Sequence, residues 1–272
     1  KLPPVNPSTD GSPSVEPPAG EPPTDGSPSA PPSTGESSEQ GTEVDPLPPS
    51  YPSDFKIPIL MYHDVGPKAA GLTVTPDALR SQVEALDAAG YRPVTMDDAL
   101  LAMSGENVSL PERPVALTFD DAYSGAYNEA FPILLERGWT ATLFVITDLV
   151  GKDGYVTWDQ IAEMADAGWV VGCHTASHPD LRQLGAERLA REVASARDTL
   201  KERTSQPVHG FCYPAGAYND GVVEAVKAAG YLGAVTTNPG VATFSDPLFT
   251  LNRVRVDGRD GLATFKAKLS IE

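Results

Sequence analysis

Two carboxylates stand side by side at the end of an apolar run, Thr118-Phe119-Asp120-Asp121, and two imidazoles stand four residues apart in His174-Thr175-Ala176-Ser177-His178. Adjacent acids repel unless a cation or a division of labour accommodates them. They equally suit a helix N-terminus, where the dipole favours negative charge. Two histidines four apart can share a metal ion, or can lie unliganded in a surface loop. Joined by Asp121 they make two imidazoles and a carboxylate. Zinc accepts such a set in a hydrolytic site that keeps a position open for water; the same set holds non-haem iron. A third histidine, His63, closes another apolar run in Met61-Tyr62-His63-Asp64. A lone histidine is more often structural, but its placement alters that reading. His63, Asp120/Asp121, His174/His178 and Tyr213-Pro214 all fall just past the C-terminal ends of segments that read as strands, and in a parallel barrel those ends form one face, where catalytic groups gather.

The elements that must carry these residues alternate along the chain. Apolar runs over residues 57–62, 91–94, 115–119, 141–146, 169–173, 208–213, 231–235 and 251–256 read as strands. Helical patterns lie between them. Thr75 caps a helix with Pro76 at its first position and Gly90 as its stop. Thr157 and Gln160 have capping-box spacing. Residues 186–203 form the longest helix, with Leu189, Val193, Ala196 and Leu200 on one face. A helix is also expected from about residue 120 to Arg137. Repeated βαβ units with buried strands imply a parallel sheet, and seven or eight of them imply a distorted (β/α) barrel, with an open doubly wound sheet as the alternative.

Composition divides the chain. Of its 27 prolines, 15 lie in residues 1–52, with one Lys against eight acids and the hexapeptide Thr9–Ser14 repeated at Thr24–Ser29. Such a stretch cannot bury enough apolar surface to offset its ordering entropy, so residues 1–52 are expected to be a disordered acidic linker, a spacer that can tether the catalytic domain to a membrane or cell wall, with a tail of no role as the alternative. Residues 53–272 are expected to be that domain. The net charge of −17 argues against nucleic acid and anionic membrane surfaces as partners, and no apolar run is long enough to span a bilayer. Two cysteines exclude a disulfide-built scaffold. Cys173 and Cys212 sit near the ends of strands that are expected to be neighbours, either as small buried hydrophobes or as a disulfide. His209 starts a strand away from the proposed face and reads as structural.

The motifs Thr118-Phe119-Asp120-Asp121, His174-Thr175-Ala176-Ser177-His178 and Phe211-Cys212-Tyr213-Pro214-Ala215-Gly216 resemble those of polysaccharide deacetylases with a NodB-homology domain, carbohydrate esterase family four. The opening Pro58-Ile59-Leu60-Met61-Tyr62-His63 resembles the permuted branch that includes biofilm poly-N-acetylglucosamine deacetylases. The resemblance implies an extracellular or cell-surface enzyme, expected to be a monomer, that removes N-acetyl groups from an N-acetylglucosamine polysaccharide. It implies a divalent metal, zinc, on Asp121, His174 and His178; Asp120 as general base; His63 as general acid; and the Tyr213 backbone N–H as oxyanion donor. Tyr62, Pro214 and Arg253 are candidates for substrate binding, and Tyr62, Tyr123, Trp158 and Tyr218 for stacking on sugar rings, with core packing the alternative for each of these four. The family's usual Arg, which orients the base, is expected at the place held by Phe211, and Arg253 is either the residue that replaces it or a structural surface arginine. An O-acetyl esterase and a weak sugar-binding domain are alternatives. A nucleophilic esterase is disfavoured by the lack of a G-x-S-x-G elbow. An iron oxygenase would leave Asp120 and His63 without a role.

Overall fold

Apolar strands that alternate with capped helices bury both faces of a sheet only by winding it round, and the chain does so. The computed structural model describes residues 50–272; apart from its last three residues, the expected linker lies outside the described residues. The eight strands of the main sheet are β1 (Ile59–Tyr62), β2 (Arg92–Val94), β3 (Pro114–Phe119), β4 (Thr142–Val145), β5 (Val170–Cys173), β6 (Gly210–Cys212), β7 (Gly233–Pro239) and β8 (Leu251–Arg255). Their order is β1-β8-β7-β6-β5-β4-β3, and β3 pairs back to β1 with Ile59 opposite Ala116 and Tyr62 opposite Phe119. Every pairing is parallel. The result is a closed barrel of seven strands, with β2 laid along the first half of β3 outside the ring. The expected barrel is the fold found; the open sheet is not.

Alternation along the strands divides the core in two. Leu60, Leu117, Leu143, Val171 and Phe211 face the surrounding helices. Ile59, Ala116, Phe144, Cys212, Val235 and Leu251 fill the barrel, whose lower end is plugged by Leu100 of the helix Met96–Met103. So narrow an interior needs missing side chains. A Cβ on Gly172 would stand 2.4 Å from the Phe144 ring, and one on Gly233 would stand 2.3 Å from Leu100.

Both expected N-caps are present. Thr75 Oγ1 accepts the Ala78 N–H ahead of Pro76–Ala88, and Thr157 forms a full capping box with Gln160. The helix expected directly after β3 begins only at Ala126, as a wide turn followed by Phe131–Leu135. The intervening residues form the loop that carries the two acids. The longest helix runs unbroken through Ala186–Ala190, the wide π turn Arg191–Ser195, and Ala196–Thr204. Packing starts earlier than residue 53. The Tyr51 ring lies 4.9 Å from Phe55 and 4.8 Å from Phe244, and its hydroxyl accepts the Leu110 N–H at 2.6 Å. Among the described residues no helix is long and apolar enough to cross a membrane.

Candidate metal and catalytic site

The loop that follows β3 turns sharply because Asp121 (φ 69°) and Ala122 (φ 62°) both adopt left-handed backbone. Asp120 stays in line with the barrel, its N–H donating to Tyr62 O at 3.0 Å. Asp121 is turned toward the loop that follows β5. There His174 Nδ1 lies 2.7 Å from Cys212 O. A carbonyl can only accept, so Nδ1 carries the proton and Nε2 presents its lone pair. Nε2 of His174 is 3.3 Å, and Nε2 of His178 3.7 Å, from the same oxygen of Asp121. The three ligand atoms lie within 4.8 Å of one another. Two imidazole nitrogens and a carboxylate oxygen converging on one point, with one tautomer already fixed, suit a divalent ion of the zinc type.

Asp120 is engaged elsewhere. Arg253 Nη1 donates to its Oδ1 at 2.8 Å and Nη2 to its Oδ2 at 2.7 Å, both side chains being buried. The remaining donations from Arg253 run to Thr236 O, Thr118 Oγ1 and the Cys212 sulfur. All five guanidinium N–H groups therefore have acceptors. Burial opposes ionisation of Asp120, but the charge and hydrogen bonds of Arg253 outweigh it and hold the carboxyl well below the usual range. Asp120, His174 and Cys212 also lie close enough to share an ion, but Arg253 already occupies both Asp120 oxygens and the sulfur.

His63, Asp120, Asp121, His174 and His178 open together into one groove of about 290 Å³, walled by Leu72, Tyr123, Tyr213, Ala215 and Thr237. Burial lowers the pKa of His63, against the pull of Asp120 and Asp121. Its Nδ1 is buried with no hydrogen-bond partner among the described residues. Thus residues from three loops, expected to meet on one face, do meet.

Several other expectations change. The Tyr213 N–H is committed to Val235 O at 3.3 Å, a bond between neighbouring strands, so it is not a free oxyanion donor. Two residues on, the exposed Ala215 has left-handed backbone (φ 53°) and lines the groove, and its N–H has no acceptor among the described residues. Tyr62 is fully buried with its hydroxyl donating to Gln82, and Pro214 and Arg253 are buried too; none of the three is placed to touch a sugar. Trp158 packs under Arg203. Of the proposed stacking residues, Tyr123 alone lines the groove, with Tyr155 stacked behind it at 5.2 Å. Phe211 faces outward. It is Cys212, one residue on, that meets Asp120 and Arg253, and Arg253 reaches Asp120 from β8. Cys173 pairs opposite Phe211, so Cys212 is out of step with it and faces the other way; both cysteines are free and no disulfide forms. His209 sits 3.0 Å from Asp97, away from the groove, as its structural reading requires. The sequence reading missed Glu192, a buried acid on the π turn, because nothing in a helical pattern marks one glutamate as inward.

The profile of the polysaccharide deacetylase family matches residues 107–234. The chain is 32% identical over 209 residues to the putative polysaccharide deacetylase YxkH of Bacillus subtilis, covering 76% of this chain and 74% of that one. It is 26% identical to the poly-beta-1,6-N-acetyl-D-glucosamine N-deacetylase of Escherichia coli K12, over 77% of this chain but only 38% of that protein's length. Among solved structures, the Streptococcus pyogenes deacetylase PplD in complex with acetate superposes with a TM-score of 0.74 at 32% identity, covering 80% of this chain and 99% of that one.

Proposed function

Because the chain belongs to the polysaccharide deacetylase family, we propose that it hydrolyses N-acetyl groups of an N-acetylglucosamine-containing polysaccharide, poly-N-acetylglucosamine or peptidoglycan, at the cell surface or outside the cell. The observation that carries this reading is the division between the two adjacent acids. Asp121 faces two imidazoles, whereas Asp120 faces a guanidinium and leaves the ion's place clear.

Asp121, His174 and His178 would hold the metal, zinc on its donor chemistry, and the bound ion would supply Lewis acidity toward the acetyl carbonyl and toward water. Asp120, kept ionised by Arg253, accepts the Cys212 thiol on Oδ2 at 3.6 Å as well as the guanidinium, and its Oδ1, with one donor from Arg253, keeps a lone pair for a further proton. It takes a proton from the attacking water as the new C–O bond forms. Ala215 lines the groove, its N–H without an acceptor among the described residues, and that N–H takes the place of Tyr213 as donor to the carbonyl oxygen as charge develops there. An amine leaves poorly unless protonated. His63 lines the same groove from β1 and gives the nitrogen its proton as the C–N bond breaks. Its pKa, lowered by burial, makes it a readier donor once charged. The products are acetate and a free amine on the sugar.

The test is acetate release from N-acetylglucosamine oligomers, with acetylated xylan as comparison. Chelation is expected to abolish turnover and zinc to restore it; demetallated protein with full turnover would remove the metal from the reading. Faster release from the xylan would favour O-acetyl substrates. The Asp120→Asn variant is expected to keep its metal and lose about 10²–10⁴-fold in rate.

A further inference from the structure

We propose that Glu192 is a positioning residue that sets the place of the ligand His178, an inference that rests on the metal site described above. The two histidines are held differently. The ring of His174 is fixed by its own bond to Cys212 O. The ring of His178 has no such bond among the described residues, and its side chain is 37% exposed. Its position is therefore set by the backbone that presents it. That backbone is strained, since Thr175 (φ 68°) and His178 (φ 60°) both adopt a left-handed conformation that non-glycine residues seldom take.

Glu192 supplies what holds the loop in that shape. It lies 15 positions further on, on the π turn Arg191–Ser195, the kind of helix irregularity that often accompanies functional sites. The residue is 0% exposed and takes part in no ion pair among the described residues. A buried, unpaired carboxylate is costly unless hydrogen bonds compensate for lost water. Both its oxygens are directed at Ser177, the residue before His178. One accepts the Ser177 N–H at 2.8 Å and the other accepts the Ser177 hydroxyl at 2.7 Å. Charge-assisted bonds of this kind are about twice as strong as neutral ones. The loop's other ties, Thr147 N–H to Thr175 O at 3.2 Å, Asp148 N–H to Ala176 O at 2.9 Å and His178 N–H to Thr175 Oγ1 at 2.8 Å, leave Ser177 itself unheld.

The experiment is a zinc titration of metal-free protein against a chromogenic chelator, with circular dichroism of the same samples. Glu192→Ala is expected to weaken zinc binding about 10–100-fold, the usual effect of removing a partner that orients a ligand, while the metal-free protein stays folded. Glu192→Gln keeps an oxygen for the Ser177 N–H and offers an NH2 to the Ser177 hydroxyl oxygen. It is expected to bind within a few-fold of wild type. Ser177→Ala is expected to fall between the two. Zinc affinity in Glu192→Ala equal to wild type overturns the proposal, as does a loss that Glu192→Gln fails to restore. If Glu192→Ala does not fold, an unchanged affinity in Ser177→Ala overturns it instead. A wild-type protein that binds no zinc overturns the metal site itself and this proposal with it, an outcome distinct from equal affinity among variants.

Discussion

Arg253 engages Asp120 through a planar fork with every donor used, and an ammonium cannot reproduce that geometry. Arg253→Lys is expected to lower turnover about 10²-fold or more while zinc binding stays near wild type, because the proposed ligands Asp121, His174 and His178 are untouched. Equal loss of metal and turnover would show that Arg253 supports the whole site rather than the base. The same pair sets an acid limit on stability. A carboxyl held lower in the folded than in the unfolded chain contributes stability that is complete above its unfolded value, about 3.9. That contribution is lost as pH falls toward the folded value. Asp120 is such a group. Urea unfolding of Asp120→Asn is therefore expected to lose less stability than wild type between about pH 5 and pH 2; parallel curves would show that Asp120 is not the group responsible. For His63→Ala the expectation depends on the leaving group. N-acetyl substrates, whose amine must be protonated, should suffer far more than an activated aryl acetate that leaves as an anion. Similar losses on both would assign His63 to structure or binding.

Loops after β1, β3 and β5 bring His63, the two acids and the two histidines to one groove, and the helices between strands hold those loops at the barrel rim. The longest helix does so most directly, since it bears Glu192. Its end is a place to strengthen it. Ser205 closes that helix in left-handed backbone (φ 54°), donating its N–H to Lys201 O. Glycine adopts this conformation without the steric penalty of a Cβ. Ser205→Gly is expected to add roughly 0.5–1 kcal/mol, seen as a melting temperature about 1–4 °C higher, with turnover unchanged. A lower melting temperature would mean that the serine stabilises the cap in a way the backbone does not show. Inside the barrel the sign reverses. A methyl at Gly172 would strike the buried Phe144 ring, and Gly172→Ala is expected to cost about 1–3 kcal/mol in chemical unfolding. No measurable loss would show that the barrel interior has room to spare.

Among the described residues, the first to pack on the domain is Tyr51, whose ring closes against Phe55 and Phe244 at the barrel end that β1 enters. Removing residues 1–49 is expected to leave melting temperature and turnover on short soluble oligomers unchanged. Removing residues 1–55 takes away two of the three clustered rings and is expected to lower the melting temperature by several degrees, since each aromatic pair contributes about 0.5–1.5 kcal/mol beyond its burial. Should the shorter truncation lower stability as much, residues before 50 must also pack on the domain.

Much of this architecture was legible in the chain. Strand and helix signals are local, a matter of alternation, capping side chains and glycine stops, so the barrel and its capped helices could be read from residues such as Thr75, Thr157 and the apolar runs. Parallel topology then places all strand ends on one face, which is why His63, Asp120, Asp121, His174 and His178 could be grouped before any distance was known. What the sequence could not decide depends on which way a side chain points and on what its atoms already bond. A one-residue shift along β6 sends Phe211 outward and Cys212 inward. The Tyr213 N–H was eligible as an oxyanion donor until pairing with β7 engaged it. Arg253 meets Asp120 across 133 positions, and Glu192 meets Ser177 from within a helix. Those partnerships are properties of closing the barrel and packing a helix against it, and only the tertiary structure fixes them.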